Sequence, residues 1–573
     1  MKSTISLFIV LLALVAMAPA QNKKLSPELQ NPPDGAVNVI VQFTAPPTAR
    51  HHQKVLSRGG TLRQELGLVQ AAAYSMPSSA VADLANDPEV AYVAPDRPLS
   101  GALSSDATLD YHTETVNAPY AWGLGLDGTG IGVAVIDSGI INVPDLHDAD
   151  SRIVYSQSFV GDGSEGASDQ YGHGSHVAGI IGGNGKKSSA PSDFYTFNGI
   201  APNVNLINLR VLDENGQGTD SQVISAIQTA ISLKSSYNIL VMNLSLGRPV
   251  YESYMLDPLC QAVEQAWQAG IVVVVSAGNN GRDNSFNNEG YGTITSPAND
   301  PFVITVGAMK TMGTAGRDDD LIATYSSKGP TLFDHIAKPD LVAPGNLIIS
   351  LYAPALTLNQ LYPENEIPYS LYRTDGSAMP SNTYYILSGT SMAAPMVSGA
   401  AALMLQLDPT LTPDEIKARL MKTASKNFPQ YSSYTDPITG ITYTDQYDVF
   451  TIGAGYLDIQ AAVSSTDLSS GVALSPRVKY HPRSQTVRFV RSSFAVWGGS
   501  SAWSNFAVWG GNVFVSNQFA VWGGSSPAAN FAVWGGSAPW GNTTNSGFFA
   551  VWGGNYIASS STANSEILIN GDK

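Results

Sequence analysis

At 573 residues the chain is too long for one ordinary domain and long enough to bury a large core. Its 43% hydrophobic and 13% charged residues speak against global disorder. A formal net charge of -16 with no Lys/Arg cluster speaks against a nucleic-acid partner and fits an acidic, soluble protein.

Lys2 precedes an apolar run, Ile5 to Met17, that is too short to span a bilayer and ends in Ala18-Pro19-Ala20, a small-x-small cleavage site. Residues 1–20 are therefore expected to be a signal peptide, and the chain to be exported. No later stretch reads as a membrane span. The single cysteine, Cys260, leaves no internal disulfide, and its amphipathic helical setting marks it as an inert core residue.

Residues 21–106 begin with NVIVQF, which alternates like a strand. A helical stretch near His51 to Arg58 follows, then GLVQAAAYSMP, SAVADLAND and VAYVAPD as strand, helix and strand. This predicts a small α+β domain, with a Ser/Gly/Asp/Thr-rich linker from about Leu99 to Thr115.

From Gly130 short apolar runs alternate with helical patterns. GIGVAVID, NVNLINLRVL, ILVMNLSLG and IVVVVSAG read as strands; SQVISAIQTAISLK and LDPLCQAVEQAWQAG read as helices, the second stopped by Gly270. Unbroken Val/Ile strands alternating with helices predict a mostly parallel sheet covered on both faces. In such folds sites lie beyond the carboxyl ends of the strands.

Polar residues stand at those ends. Asp137 closes GIGVAVID, His173 and His176 sit in YGHGSHVAGIIGG, Asn279 follows IVVVVSAG, and Ser391 stands in SGTSMAAPMVSGAAALM. Singly, each has a plain structural reading: a helix cap, a packed histidine, a turn residue, an N-cap. Together, VIDSG, GHGSHVAG, SAGN and GTSMAAP, in that order, closely resemble the subtilisin-like serine proteases, whose Asp, His, Ser order is known. The resemblance runs from about Thr115 to Val463 and includes VAPG at Val342 and GAGYLDIQAA at Gly453.

That resemblance implies a three-layer catalytic domain at about 107–465. Ser391 becomes the nucleophile, His173 its base, Asp137 the residue that orients and stabilises the imidazole, Asn279 an oxyanion donor, and His176 supporting structure. Ser175 stands where the family commonly has threonine. Ser245, Leu246 and Gly247, with Ser276, Ala277 and Gly278, match segments beside an extended peptide and around its first pocket; Gly216 and Gly218 match the opposite side. Small, uncharged walls are expected to favour an apolar residue before the scissile bond. Met392 would be oxidation-sensitive if exposed.

The small α+β domain then resembles an inhibitor-type propeptide, a chaperone whose end occupies the active site until self-cleavage between about Pro98 and Thr115. Calcium is a common structural ion of the family; Asp145 resembles one ligand, although GNGKKSSAPSDFYTF (183–197) departs from the usual loop. Residues 351–385 hold six tyrosines and are expected either to pack against the body or to wall the cleft.

The tail, 466–573, writes FAVWGG five times, beginning at Phe494, Phe506, Phe519, Phe531 and Phe549. Alternating large residues and Gly-Gly turns predict a β-rich repeat, with docking to cell envelope or polysaccharide as a role. The repeats hold no catalytic group. Two functions compete: a secreted endopeptidase, or a surface-binding protein on an inactive protease scaffold. The presence of Asp137, His173, Ser391 and Asn279 together favours the endopeptidase.

Overall fold

A computed structural model describes residues 22–490 apart from 31, 33–34, 101–108, 162–165, 285–287, 375–378, 438, 470 and 482–485, and beyond these only 514–515, 518–519 and 571–572. The expected signal peptide and nearly all of the FAVWGG segment lie outside the described residues. The chain forms two compact units, Met1–Asp96 and Arg97–Lys573.

In the first unit, strands β1 (Ala36–Phe43), β2 (Thr61–Leu66), β3 (Ala71–Pro77) and β4 (Val90–Pro95) pair antiparallel in the order β2-β3-β1-β4. Val39 and Val41 of β1 meet Tyr74 and Met76 of β3, and helices Ala49–Leu56 and Ser78–Ala85 close the core with Val55, Val81 and Leu84. The sequence predicts three of these strands. The fourth, TLRQEL, is an edge strand with mostly exposed side chains, so it carries no apolar alternation.

The second unit is built on an eight-stranded sheet. After β5 (Pro98–Ser100) come β6 (Gly132–Asp137), β7 (Ile153–Ser158), β8 (Asn205–Arg210), β9 (Gln217–Thr219), β10 (Ile239–Leu244), β11 (Val272–Ser276), β12 (Ile304–Lys310), β13 (Leu321–Ile322) and β14 (Leu341–Pro344). The sheet runs β13-β12-β11-β10-β6-β8-β7 with β14 beside β12, and only the β12–β13 pair is antiparallel. β6 and β11 are buried along their whole length, as their unbroken Val/Ile composition requires.

Helices His173–Gly182, Asp220–Tyr237, Pro258–Gln268 and Thr390–Leu407 pack on this sheet. Among the described residues one helix is long and apolar enough to cross a membrane, Thr390–Leu407, and 89% of it is buried inside the protein, as a core helix is. Cys260 is fully buried, with its thiol pushed well up by burial.

The tyrosine-rich stretch settles against the body. β15 (Ile348–Leu351), β16 (Glu366–Pro368) and β17 (Pro380–Leu387) make an antiparallel sheet in the order β15-β17-β16. Tyr384 sits 4.7 Å from Phe197 and 5.6 Å from Tyr372, ring centre to ring centre. The two departures from the family pattern, loop 183–197 and the tyrosine stretch, thus pack on each other. The described residues of 466–490, expected in the tail, belong to this unit as well: Ser475 donates to Asp340 at 2.5 Å and receives Lys417 Nζ at 2.8 Å.

Candidate active site

Parallel strands end together, and so do the polar residues that close them. Asp137 is the last residue of β6, and His173 the first of its helix. Gly174 allows this close approach: a Cβ there would lie 2.2 Å from the Gly139 carbonyl oxygen and 3.1 Å from the Asp137 Cβ. Asp137 Oδ1 accepts from His173 Nδ1 at 2.7 Å and from the Ser138 amide at 2.7 Å. Both side chains are essentially out of solvent. Burial works to lower the His173 pKa, but the neighbouring Asp137 carboxylate outweighs it and holds the imidazole above its ordinary value. Among the described residues no hydrogen-bond partner reaches the buried His173 Nε2.

Ser391 lies in the first turn of Thr390–Leu407, a helix that packs on the one His173 begins. Its hydroxyl donates to the Ser245 carbonyl at 3.1 Å. Proline at 395 has no N–H, so the helix cannot bond the Ser391 carbonyl four residues back. Ser245 Oγ donates to that carbonyl instead, at 2.7 Å. Asn243 Nδ2 donates to Ser245 Oγ at 2.9 Å, and Ser398 Oγ donates to Asn243 Oδ1 at 2.8 Å. A missing helix bond has become a three-residue brace behind the serine.

Asn279 Oδ1 accepts from the Thr390 amide at 2.8 Å and from Thr390 Oγ1 at 3.1 Å. That fixes the amide orientation and leaves Nδ2 as the group able to donate. Thr390 Oγ1 also receives the Gly278 amide at 3.1 Å, so the turn before the serine and the end of the Val272–Ser276 strand are tied together.

The remaining expected peptide-binding residues lie in or next to β9, β10 and β11. Ser245 and Leu246 are buried just after β10; Ser276 ends β11, and buried Ala277 receives a main-chain bond from Thr295. The Gly247 and Gly278 α-carbons both abut Thr295: added Cβ atoms would lie 2.6 and 2.7 Å from its side chain. Gly216 bonds back to the Asp213 carbonyl, and Gly218 lies in β9, where it pairs antiparallel with Leu99 of β5.

Sequence reasoning missed Asp169. Its buried carboxylate accepts from Ser138 Oγ, from the Tyr171, Gly172 and Ser175 amides, and from Ser175 Oγ at 2.7 Å. Burial raises its pKa against the pull of those donors. Ser175 Oγ also accepts from the Ile141 amide at 3.0 Å, so serine supplies the hydroxyl this position needs. His176 Nε2 lies 3.1 Å from both the Ile348 and Tyr385 carbonyls, and burial together with the nearby His173 pushes its pKa down to about 3. It is a neutral structural donor. Met392 is fully buried, so the condition for oxidation sensitivity is not met.

Asp145 does not fit the expected calcium. Its carboxylate accepts from the Lys187 amide at 2.8 Å and from Tyr384 Oη at 2.6 Å, and its carbonyl receives the Arg152 guanidinium at 2.9 Å. Hydrogen-bond donors occupy the place of a cation. Among the described residues no group of three or more His, Cys, Asp or Glu is placed to hold a metal.

Comparison with known proteins agrees with this geometry. The model of the Subtilase family matches residues 128–446. Serine protease AprX of Bacillus subtilis is 39% identical over 327 residues, 56% of this chain and 67% of its own. Subtilisin E of Bacillus subtilis is 32% identical over 383 residues, 67% of this chain and 83% of its own. The extracellular serine proteinase of a Thermus species is 34% identical over 361 residues, 62% of this chain and 71% of its own. Among solved structures, fervidolysin from Fervidobacterium pennivorans, a keratinolytic enzyme related to subtilisin, has a TM-score of 0.55 at 22% identity, covering 77% of this chain and 62% of its own; that likeness is one of fold.

Proposed function

The chain belongs to the subtilase family of serine endopeptidases, and from that premise we propose that it is a secreted endopeptidase using Ser391, His173 and Asp137, with Asn279 in the oxyanion hole. The observation that carries this reading is the buried Asp137–His173 bond at the start of a helix packed on the helix whose first turn holds Ser391. In the reaction Ser391 Oγ turns from the Ser245 carbonyl to His173 Nε2, gives up its proton there and attacks the scissile carbonyl. Asn279 Nδ2 and the Ser391 amide then hold the oxyanion. His173 returns the proton to the leaving amine, and water repeats the cycle on the acyl-enzyme.

The substrate lies as an extended strand on β9. Supporting this, β5 already occupies that edge, with Pro98, Leu99 and Ser100 opposite Thr219, Gly218 and Gln217. Arg97, just before β5, binds both carboxylate oxygens of Glu252 at 2.7 and 2.6 Å, and its carbonyl accepts from the Asp220 amide. We read residues 21–106 as a propeptide whose end lies along the cleft until Ser391 cuts it between about Pro98 and Thr115. Export is supported by the leader pattern and by the extracellular Thermus relative. The small walls at Ser276, Ala277 and Gly278 favour an apolar residue before the cut; a peptide library cleaved mainly after Arg or Lys would refute that preference.

Fluorophosphonate labelling tests the whole reading. The processed protein should label, Ser391→Ala should not, and Ser391→Ala should accumulate as an unprocessed precursor. Labelling independent of Ser391, or normal processing of that variant, would overturn it.

A further inference from the structure

Far from the triad in sequence, Gly571 and Asp572 are both buried in the second unit. Asp572 Oδ1 accepts from Arg282 at 2.6 Å and from Thr324 Oγ1 at 2.7 Å, and Oδ2 accepts from the Thr324 amide at 2.7 Å. Asn346 pairs with the main chain on both sides: its Nδ2 donates to the Asp572 carbonyl at 3.2 Å, and its Oδ1 accepts from the Asp572 amide at 3.0 Å. Gly571 adopts φ +53°, a left-handed conformation that favours glycine. The carboxylate and the peptide unit of Asp572 are each recognised by a separate feature, and the residue before it takes a conformation that favours glycine.

The receptor is held in place by other contacts. Arg282 Nε donates to Thr324 Oγ1 at 2.7 Å, a second nitrogen donates to Asp436 at 2.8 Å, and the guanidinium lies 4.7 Å from the centre of the Tyr443 ring. These bonds aim the remaining nitrogen at Asp572, so little order has to be created on binding. Arg282 and Tyr443 also line a cavity of about 440 Å³ with Lys328 and Asp445, which gives a peptide a route to the receptor.

We propose that Arg282, Thr324 and Asn346 form a receptor for a Gly-Asp peptide, which residues 571–572 occupy in cis as a latch. In sequence the repeats lie between two described contacts of the same unit, the bond of the Val490 amide to the Arg477 carbonyl and those of Asp572. This rests on contacts of the second unit and stands apart from the protease chemistry.

The test uses a chain ending at Ser565, carrying Ser391→Ala to prevent self-digestion, titrated calorimetrically with the synthetic peptide Glu-Ile-Leu-Ile-Asn-Gly-Asp-Lys. Saturable binding is expected, weakened at least tenfold by Asp→Ala in the peptide or by Arg282→Gln in the protein. In the full-length Ser391→Ala chain, Asp572→Ala should speed hydrogen exchange at the Thr324 amide at least tenfold, which keeps the test open if the shortened chain does not fold. Unchanged exchange at Thr324 would overturn the latch. So would binding that ignores the aspartate.

Discussion

Among the described residues the second unit contains two buried His–Asp pairs, and comparing them shows what sets the candidate site apart. His173 meets Asp137 through Nδ1 at 2.7 Å; His112 meets Asp110 through Nδ1 at 2.5 Å. Both are out of solvent, and in both the carboxylate overrides burial and raises the imidazole pKa. Their surroundings differ. Asp110 is a structural knot: its side chain also takes the His112 and Ile349 amides, its carbonyl takes the Tyr195 hydroxyl, and His112 faces the Asn198 backbone. His173 stands at a helix start beside the helix that carries Ser391. A His–Asp pair alone supplies a base; what sets His173 apart is the neighbouring helix that carries Ser391.

Breaking each pair should therefore produce opposite phenotypes. His173→Ala should lower kcat about 10⁶-fold, the size known for the matching histidine of subtilisin, whereas His112→Ala should leave kcat within a few-fold. Equal losses of activity would erase the distinction. Asn279→Ala should cost about 10²- to 10³-fold in kcat, again the range known for the matching subtilisin donor, with little change in KM. His112→Ala should instead destabilise by about 3–5 kcal/mol, measured by denaturation in a Ser391→Ala background, because it strands a buried carboxylate.

The pH dependence separates the pairs further. A raised folded pKa means that each histidine contributes its full stabilisation below the ordinary histidine value and loses it as pH rises through the raised value. His112→Ala should flatten that loss. The acid limb of kcat/KM, which reports the free His173, should stay where it is, above the ordinary histidine range. The smallest expected effect lies at Asp145: Tyr384→Phe should cost about 1–3 kcal/mol, measured by denaturation.

Much of the candidate site was legible because the family order sits in unusual local company. Asp137 closes an apolar strand, His173 follows a glycine, and Ser391 opens an Ala/Gly helix. Asp169 escaped notice because GASDQYG reads as a polar loop, where an aspartate is commonplace; its role appears only when Ser138 and Ser175 fold over it. Asn243 and Ser398 left a weak signal, one polar residue each in an otherwise apolar run. His112 fell in a stretch read as linker, although it lies in the short helix His112–Thr115. The Asp145 expectation failed because a ligand's identity was carried over while the loop that must complete the site had already changed.

Pro395 has a consequence beyond the brace it creates. A helix normally spends its carbonyls on itself, so its interior is silent toward its surroundings. Here one rung has been removed at the register that frees the carbonyl of Ser391, and the turn after a neighbouring strand has taken it up through Ser245. Serine followed four places later by proline is thus a spelling in which a helix addresses another element. Pro395→Ala would offer the Ser391 carbonyl two suitors, and the loosened Ser245 hydroxyl would show which of them held the active site together.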